Sequence, residues 1–489
     1  MLPVANRPGD LHPEVRMQEV EVKALPLEVL ASILTPDRAR RLSESGARAR
    51  ATFGDRTIWH VNATAHGGGV AEMLQTLLAY GRRAQIENRW LVLNGEPEFF
   101  SITKRLHNRL HGEPGDGGPL GDHEHACYER VVGANVTEMA DMIGPRDIVL
   151  LHDPQTAGMV DGLRATGVRV VWRCHVGRDT RNTESDETWA FLERYIERAD
   201  AFVFSREEYV PEWVQRERLV VIAPSIDPFS AKNRELDPPT VNAILATAGL
   251  VSGADAGGPV RFQRRDGSQG TVRHHTDLIA DGPPPPHDVR LVLQVSRWDR
   301  LKDMAGVLTA FVKMAADGPD DAHLMLVGPD VSGVTDDPEG ADVLAECRAV
   351  WRTVPDSIRG RVHLASIPMD DVDENAIIIN ALQRHAYLVV QKSLVEGFGL
   401  TVIEAMWKAR PMIASRVGGI RDQIVHERDG LLIADPYDLD ALAGAMARLL
   451  DDPELAGQLA AAGRARVHDQ FLGDRHLAQY VDLFERLST

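Results

Sequence analysis

Two glutamates in the second half of the chain flank a turn of the kind that binds phosphate. Glu396 and Glu404 are eight residues apart in the stretch SLVEGFGLTVIEAMWKARP. Between them Gly399 leaves the backbone unrestricted, and Leu400 and Thr401 begin a predicted helix whose free amide groups and dipole favour an anion. Carboxylates on either side of such a turn can accept hydrogen bonds from sugar hydroxyls. The stretch therefore predicts a nucleotide-sugar site; the alternative is a capped helix with two solvated glutamates.

Two cations form a second motif upstream, in QVSRWDRLKD, after a predicted strand. Arg297 and Lys302 are five residues apart. An arginine can bind a diphosphate through two parallel hydrogen bonds, and a lysine adds a point charge. Most Arg and Lys side chains lie on the surface, and a surface pair is the alternative here. Their position after a strand end favours neutralisation of a diphosphate leaving group.

Glycine-rich turns occur in both halves of the chain. The stretch HVNATAHGGGVAEML places Gly67, Gly68 and Gly69 between an apolar run and a helix-like segment. It matches neither the dinucleotide-binding G-x-G-x-x-G pattern nor the G-x-x-x-x-G-K-[ST] pattern of phosphate-binding loops. Because one glycine suffices for a tight turn, three favour a close approach of the backbone to a ligand. For Gly418 and Gly419 in SRVGGIRDQI, ligand contact and an ordinary turn are equally favoured.

Candidate acceptor residues in the first half follow predicted strands or lie in one polar helix. His175 ends the strand in WRCH and can hydrogen-bond a sugar or orient a reacting group, although a lone histidine is more often structural. The other candidates for an acceptor pocket are Lys104, His107, Asn108, Asp153, Gln155 and Arg173. The sequence contains no zinc-binding cysteine set and no H-E-x-x-H motif, so we expect no metal site.

Composition limits the classes of function. The chain has 489 residues, which predicts two large domains. Its net charge of −18 argues against general binding to nucleic acid or to an anionic membrane, and no apolar run is long enough to span a bilayer. Three cysteines without a C-x-x-C pair, and a first segment without the apolar core of a signal peptide, predict a reduced, cytoplasmic protein.

Short apolar runs alternate with helical stretches along most of the chain. The predicted strands lie at 57–61, 89–94, 147–152, 168–175, 201–205, 219–224, 289–296, 322–328, 361–366, 387–393, 411–415 and 430–433. The predicted helices between them include 69–80, 188–198, 440–450 and 453–467. This alternation predicts an α/β protein with two Rossmann-like, doubly wound domains and a ligand cleft at the carboxyl ends of their strands.

The predicted domain bounds follow from where the alternation begins, breaks and resumes. Residues 1–20 are predicted to be a flexible tail, 21–250 an acceptor-side domain, 251–287 a linker or insertion, and 288–470 a nucleotide-sugar domain. A helix over 471–489 is expected to pack back on the first domain. Four consecutive prolines in the insertion predict an extended spacer, and its arginines predict contact with a phosphate or a partner subunit or, as we prefer, a solvated hairpin.

The motifs E-G-F-G-L-T-V-I-E, S-R-W-D-R-L-K and V-G-G resemble those of the retaining glycosyltransferases of family 4, which have the GT-B fold. The likeness covers most of the chain. It implies that Glu396 contacts hydroxyls of the transferred sugar and Glu404 the ribose, that Arg297 and Lys302 bind the diphosphate, and that His175 lies near the transferred glucose. The first-domain glycine turn matches the place where the donor phosphates and the sugars meet.

A narrower set of motifs, among them H-V-N-A-T-A-H-G-G-G-V-A-E, H-D-P-Q, W-R-C-H and P-S-I-D-P, is similar to the trehalose-forming synthases of that family. The resemblance implies reversible transfer of glucose, with retention, from ADP-, UDP- or GDP-glucose to free glucose. It implies small-molecule partners and no prosthetic group; no motif implies Mg²⁺, although a nucleotide sugar is compatible with it. The sequence is compatible with a homodimer. The insertion at about 253–287 departs from the compact members of that group.

Three alternatives stay open. A trehalose phosphorylase, which the sequence also resembles, would use inorganic phosphate and no nucleotide. A related family 4 transferase would act on a glucose analogue. A sugar-nucleotide sensor or scaffold would bind a nucleotide without forming product, and the intact set of Arg297, Lys302, Glu396 and Glu404 argues against it. The sequence does not determine the preferred nucleotide or the physiological direction.

Overall fold

The structure is a computed structural model, and it describes residues 16–65, 68–253, 258–273, 276–331 and 338–488. Within these ranges the chain forms two seven-stranded sheets and one two-stranded hairpin. Residues 1–15 of the predicted tail and Gly67 of the predicted glycine turn lie outside the described residues. In the described part of the chain, no helix combines the length and the apolar character that crossing a bilayer requires.

The strands of the first sheet are β1 (Gln18–Glu19), β2 (Thr57–Asn62), β3 (Glu87–Val92), β4 (Ile148–His152), β5 (Arg169–Cys174), β6 (Ala201–Phe204) and β7 (Leu219–Val221). The hairpin consists of β8 (Arg261–Gln263) and β9 (Gln269–Thr271). The strands of the second sheet are β10 (Asp277–Ile279), β11 (Arg290–Val295), β12 (Ala322–Pro329), β13 (Val362–Ile367), β14 (Leu388–Gln391), β15 (Met412–Ser415) and β16 (Leu431–Ile433).

The helices are α1 (Leu27–Ala31), α2 (Pro36–Phe53), α3 (Gly68–Arg83), α4 (Pro97–Leu110), α5 (Asp122–Ala140), α6 (Asp153–Thr156), α7 (Val160–Arg164), α8 (Thr183–Ile196), α9 (Pro238–Ala248), α10 (Met304–Ala315), α11 (Pro338–Thr353), α12 (Asp356–Arg359), α13 (Val372–His385), α14 (Leu400–Trp407), α15 (Ile420–Gln423), α16 (Leu439–Asp451), α17 (Pro453–Gln470) and α18 (Gly473–Ser488).

The two sheets have the same strand order. It is β1-β3-β2-β4-β5-β6-β7 in the first and β10-β13-β12-β11-β14-β15-β16 in the second. Only the edge strands β1 and β10 are antiparallel to their neighbours among these described strands. The order reverses between β2 and β4 and again between β11 and β14. The prediction of two doubly wound α/β domains is therefore confirmed, and ligands bind such sheets outside the carboxyl ends of the strands at the reversal.

The central strands are apolar because helices cover both faces of each sheet. All five residues of β4, from Ile148 to His152, are fully buried, as expected for a central parallel strand. One face of the first sheet packs on α4, α5 and α8 through a cluster that includes Trp172 and Tyr128. The opposite face packs on α2 and α18 through Val171 and Phe484.

The last helix, α18, completes the core of the first sheet rather than that of the domain that precedes it. The rings of Phe484 and of Phe53 in α2 meet edge to face, with centroids 6.1 Å apart. Isoleucine and valine side chains of β2, β4 and β5 lie in the same cluster. The chain thus returns to the first domain after the second is complete.

Arg173 of β5 is part of this buried contact with α18. Its guanidinium donates to the hydroxyl of Tyr480, lies 3.1 Å from Nε2 of His476, and donates to the carbonyl oxygen of Ile222 at 3.3 Å. The side chain is fully buried. Nη1 is thus bound to α18 and Nη2 to the residue after β7, whereas Nε has no hydrogen-bond partner among the described residues. Binding of an acceptor by Arg173 stays a prediction.

Two segments that we expected to be irregular contribute strands to the sheets. Gln18 and Glu19, which fall in the predicted tail, pair with Val92 and Leu91 of β3. In the predicted linker, β10 pairs antiparallel with β13 at the edge of the second sheet. Neither strand is longer than three residues, so apolar alternation, the signal we used for strands, had no length over which to appear.

The basic part of the insertion forms the hairpin β8–β9, which is fixed on the second domain. Phe262 and Val272 are buried in its core. Arg264 donates to Asp371 at 2.5 Å, and Arg273 donates to Glu374 at 2.6 Å. Arginines of the hairpin therefore hold it against the beginning of α13 through ion pairs within the chain.

Replacement of Phe484 by alanine tests whether α18 completes the first domain. The ring is 5% exposed, and Phe→Ala changes in cores lower the free energy of unfolding by about 3–5 kcal/mol. We expect a loss of about 3 kcal/mol in urea unfolding followed by tryptophan fluorescence. The control is Tyr437→Ala, whose side chain is 70% exposed and whose loss should change stability by less than about 0.5 kcal/mol. Equal effects of the two changes would contradict the packing of α18.

Candidate active site

The predicted site residues follow the strands at which the two sheets reverse their order. The residues that follow β2, β4, β11 and β14 include Gly68, Gly69, Asp153, Gln155, Arg297, Lys302 and Glu396. These ends face each other across the domains, since a Cβ at Gly69 would lie 2.9 Å from Cδ1 of Leu400. At Gly68, whose φ is +80°, a Cβ would meet nothing within 4 Å. The glycine turn is thus close to the second domain at Gly69, whereas the space beside Gly68 is open.

An ion pair between the two second-domain motifs forms the centre of the site. Nζ of Lys302 donates to Oε2 of Glu396 at 2.7 Å, and Oγ of Ser393 donates to the same oxygen at 2.9 Å. The Lys302 and Glu396 side chains are 15% and 11% exposed. Partial burial keeps the attraction between them stronger than at an open surface. The sequence had placed these two residues in one site, and the fold brings them into contact.

Buried Gln294 aligns the two loops that carry this ion pair. Its Nε2 donates to the carbonyl oxygen of Lys302 at 2.8 Å, and its Oε1 accepts from the backbone amide of Lys392 at 3.1 Å. Nζ of Lys392 also donates to Asp303, which caps α10. Because these bonds join the ends of β11 and β14, the positions of Lys302 and Glu396 are coupled.

Arg297 lies on the exposed side of the same loop, where Nη2 donates to Oδ2 of Asp299 at 2.8 Å. It faces α4 of the first domain. The pKa of His107 in α4 is lowered by burial, then by His111, and then by the cations Lys104, Arg297 and Lys302. The first-domain helix and the second-domain cations therefore share one electrostatic environment.

His111 is a site residue that the sequence analysis missed. A Cβ at Gly397 would lie 3.5 Å from Cε1 of His111, which places the imidazole beside the Glu396 turn. Burial and the charge of Lys302 lower its pKa to about 4, so the ring is neutral at neutral pH. The signal in the sequence was its spacing of four residues from His107, which puts both rings on one helical face.

The predicted phosphate-binding turn begins α14. Gly399 is its N-cap with φ of +85°, a conformation that favours glycine. Leu400 and Thr401 form the first turn, whose amide groups have no partner within the helix. The Thr401 hydroxyl donates to Oε1 of Gln391 at 3.0 Å, so its side chain ties the turn to β14. Contact of this turn with a donor stays a prediction.

Glu404 lies at a contact between the domains that involves Lys232, a second residue that the sequence analysis missed. Nζ of Lys232 is 3.2 Å from Oε1 of Glu404 and 3.3 Å from Oε2 of Glu72 in α3. Burial opposes the charge on Lys232, but the two carboxylates together raise its pKa above the usual value. Oε2 of Glu404 is buried without a hydrogen-bond partner among the described residues. An unsatisfied buried carboxylate oxygen is a place for a ligand hydroxyl.

Gly418 and Gly419 pack against the Glu396 turn. Gly418 has φ of +48°, and a Cβ there would overlap the carbonyl oxygen of Glu396. The amide of Gly419 donates to the carbonyl oxygen of Gly397 at 3.1 Å. The space that side chains would take is filled by the chain itself, which favours the tight-turn interpretation. Their contact with a donor stays a prediction.

On the first-domain side, His175 and Asp153 meet at the ends of β4 and β5. The amide of His175 donates to Oδ1 of Asp153 at 2.7 Å, and its Nε2 lies 3.1 Å from Nδ1 of His152. Burial raises the pKa of Asp153 to about 7. A Cβ at Gly397 would be 3.3 Å from the carbonyl oxygen of His175, so this strand end reaches the second domain.

The other candidate acceptor residues surround these groups without forming a set of mutual bonds in the structure. Lys104 is exposed on α4, whereas His107 and Asn108 are half-buried on the same helix, and Gln155 is half-buried in α6. Among these four, His107 is the residue whose pKa is lowered, after burial and its nearer neighbours, by the charges of Arg297 and Lys302. Binding of an acceptor by these four residues stays a prediction.

Three first-domain residues that the sequence analysis did not single out join the domains beside the site. The hydroxyl of Tyr209 donates to the carbonyl oxygen of Gly397 at 2.6 Å. Buried Arg206 donates through Nε to Oδ2 of Asp422 at 2.5 Å and through Nη1 to Asp179. Oδ2 of Asp179 accepts from the amide of Gly418 at 3.0 Å. Their positions in loops after β5 and β6 gave no periodic signal.

Comparison with known proteins gives relatives that span nearly the whole chain. A trehalose synthase of Rubrobacter xylanophilus is 35% identical over 93% of this chain and 95% of that protein. A trehalose synthase of Pyrococcus horikoshii is 31% identical over 94% of this chain and 96% of that protein. This chain belongs to the trehalose synthase family. The family profile described as trehalose synthase, N-terminal domain, matches residues 60–211, and that of glycosyl transferases group 1 matches residues 373–466.

Solved structures similar to this trehalose synthase family member establish its fold. A trehalose-6-phosphate synthase is 14% identical, with a TM-score of 0.62 over 88% of this chain and 98% of that one. A sucrose-phosphate synthase from Thermosynechococcus elongatus is 20% identical, with a TM-score of 0.60 over 88% and 99%. The expectation of a GT-B fold is confirmed. The protein is a glycosyltransferase of this fold, and the match of the first profile lies in the domain that carries β2 to β6.

Gly418→Ala tests the role of this glycine in placing Glu396. The new methyl group would overlap the Glu396 carbonyl oxygen, and strained backbone positions of this kind cost about 1–3 kcal/mol. We expect a lower melting temperature and a transferase rate reduced by about tenfold or more. The control is Gly444→Ala in α16, where a Cβ meets nothing within 4 Å and should stabilise by up to about 1 kcal/mol. Normal kinetics of Gly418→Ala would show that the turn tolerates displacement.

Proposed function

We propose that this protein transfers glucose from an NDP-glucose to free glucose, with retention of configuration, and forms trehalose reversibly. Relatives that carry the name trehalose synthase match nearly the full length of the chain, and that name supports trehalose as the product. The observation that carries the proposal is the Lys302–Glu396 ion pair, which faces first-domain imidazoles across the cleft.

The second domain supplies the groups that a nucleotide sugar needs. The cations Arg297 and Lys302, with the first amides of α14, stabilise negative charge on the leaving diphosphate. Glu396 accepts hydrogen bonds from hydroxyls of the transferred glucose. Oε2 of Glu404, buried and unpartnered among the described residues, accepts from a ribose hydroxyl. In this scheme the reaction needs no prosthetic group, and Arg297 and Lys302 provide positive charge of the kind that Mg²⁺ provides in other phosphate sites.

The first domain supplies the acceptor side. Asp153 and Gln155 at the end of β4, with His107 and Asn108 of α4, surround the position of the second glucose. The acceptor hydroxyl attacks from the face that the diphosphate leaves, and a leaving phosphate oxygen accepts its proton. Closure of the domains around both sugars excludes water and limits hydrolysis of the donor.

A phosphorolytic reaction is the second candidate, because a trehalose phosphorylase of Pleurotus pulmonarius is 24% identical over 84% of this chain. That match covers 54% of the fungal protein, against 95% for the first trehalose synthase. The complete set of nucleotide-site residues favours the nucleotide-dependent reaction.

A product assay decides between these reactions. ADP-, UDP- and GDP-glucose are each offered with glucose, and the product is analysed by mass spectrometry and anomeric NMR. We expect α,α-trehalose and the matching nucleoside diphosphate. In a parallel reaction, trehalose with phosphate alone should give no glucose 1-phosphate. Glucose 1-phosphate in that reaction would overturn the proposal, and nucleotide binding without any product would favour a sensor.

Substitutions at the ion pair test the site itself. Glu396→Gln keeps the shape of the side chain and removes its charge, and Lys302→Ala removes the cation. We expect each to lower kcat by about two orders of magnitude, as loss of an electrostatic group at a reacting centre does, with the protein still folded by circular dichroism.

The matched control is Arg300→Ala in the same loop. Its guanidinium pairs with Glu346 at 2.6 Å on the surface, away from Glu396, so the rate should stay within about twofold of the unmodified protein. Near-normal turnover of both Glu396→Gln and Lys302→Ala would remove this ion pair from the mechanism.

A further inference from the structure

Three histidines on adjacent strands form a continuous row of imidazoles in the first domain. Nδ1 of His60 in β2 lies 3.2 Å from Nε2 of His152 in β4, and Nδ1 of His152 lies 3.1 Å from Nε2 of His175 beyond β5. The rings are stacked, with centroids 5.5 and 5.4 Å apart and interplanar angles of 20° and 17°. The row runs from the buried strand β2 to the cleft.

The pattern of ring nitrogens couples the protonation of all three rings. A neutral imidazole carries one N–H, and its other nitrogen is an acceptor. If the His152 proton is on Nδ1, it donates to His175, and Nε2 must accept a proton that His60 donates from its Nδ1. If it is on Nε2, both bonds run in the opposite direction. All three rings therefore share one tautomer.

The surroundings keep the row neutral. Burial lowers the pKa of His60 to about 3, and burial with the neighbouring imidazoles lowers that of His152 well below its usual value. His152 is fully buried and His60 is 1% exposed, so neither contacts a substrate in the cleft. A neutral row has two states, and a buried hydrogen-bonded chain favours concerted choice between them.

We propose that His60 and His152 are positioning residues that fix the tautomer and the ring orientation of His175. His175 then presents one defined nitrogen, Nδ1, to the cleft, either as a donor or as an acceptor. The proposal rests on the proposed function in one respect, namely that the group His175 meets there is a sugar hydroxyl. The amide bond from His175 to Asp153 fixes the backbone of the same residue, so ring and backbone are held by separate contacts.

Two variants of nearly equal shape separate positioning from packing. In His152→Asn the amide group occupies the place of Nδ1 and can donate to or accept from His175, whereas in His152→Leu the same volume is apolar. We expect kcat of His152→Asn to stay within about fivefold of the unmodified enzyme and that of His152→Leu to fall by tenfold to a hundredfold. A purely structural role predicts equal losses for the two variants, and equal losses would overturn the proposal.

The tautomers are read directly by long-range ¹H–¹⁵N NMR of protein labelled at histidine. The unmodified protein should give the same tautomer for His60, His152 and His175, and His152→Leu should give averaged shifts for His175. A mixture of tautomers among the three rings of the unmodified protein would overturn the proposal. This measurement needs no substrate. If the three rings share one tautomer but the product assay yields no trehalose, the result contradicts the proposed function and not the positioning role.

Discussion

The site depends on a hydroxyl of one domain that reaches the backbone of the other. Tyr209 donates to the carbonyl oxygen of Gly397 at 2.6 Å, directly after Glu396. Arg206, with its side chain 1% exposed, adds charged bonds to Asp179 and Asp422, and such bonds are stronger than neutral ones. These bonds bring the carboxyl ends of both sheets together. Every other contact across the cleft requires this approach, including that of Leu400 with Gly69.

The fold was predictable where the chain is regular. Central strands such as β4 and β11 are continuous apolar runs because helices cover both faces, and that pattern is visible in one sequence. The strands β1 and β10 were not predictable, because two or three residues are too few to show an alternation of apolar and polar side chains. Their pairing depends on backbone hydrogen bonds, which leave no mark in the residue types. Arg173 shows a different limit. Its place in the WRCH segment suggested the cleft, but its guanidinium contacts His476 and Tyr480 of α18. No local pattern indicates a contact between residues some 300 positions apart.

The site was predictable where a motif is local. Lys302 was expected to bind a diphosphate together with Arg297, and Glu396 to accept hydrogen bonds from sugar hydroxyls. The structure joins Lys302 and Glu396 at 2.7 Å. His111 and Lys232 were missed because their roles arise only when the domains meet. Ligand approach at the first-domain glycines stays a prediction: a Cβ at Gly68 would meet nothing within 4 Å, whereas one at Gly418 would overlap the carbonyl oxygen of Glu396.

Three cations at the cleft are each paired with a carboxylate. Lys302 pairs with Glu396, Arg297 with Asp299, and Lys232 with Glu404. A diphosphate that binds the cations frees carboxylate oxygens, and these are then acceptors for sugar and ribose hydroxyls. A nucleotide sugar supplies both the anion for the cations and the hydroxyls for the carboxylates. Inorganic phosphate supplies only the anion and leaves the buried Oε2 of Glu404 without a hydrogen-bond donor. The arrangement of charges therefore favours a donor that carries anion and hydroxyls in one molecule.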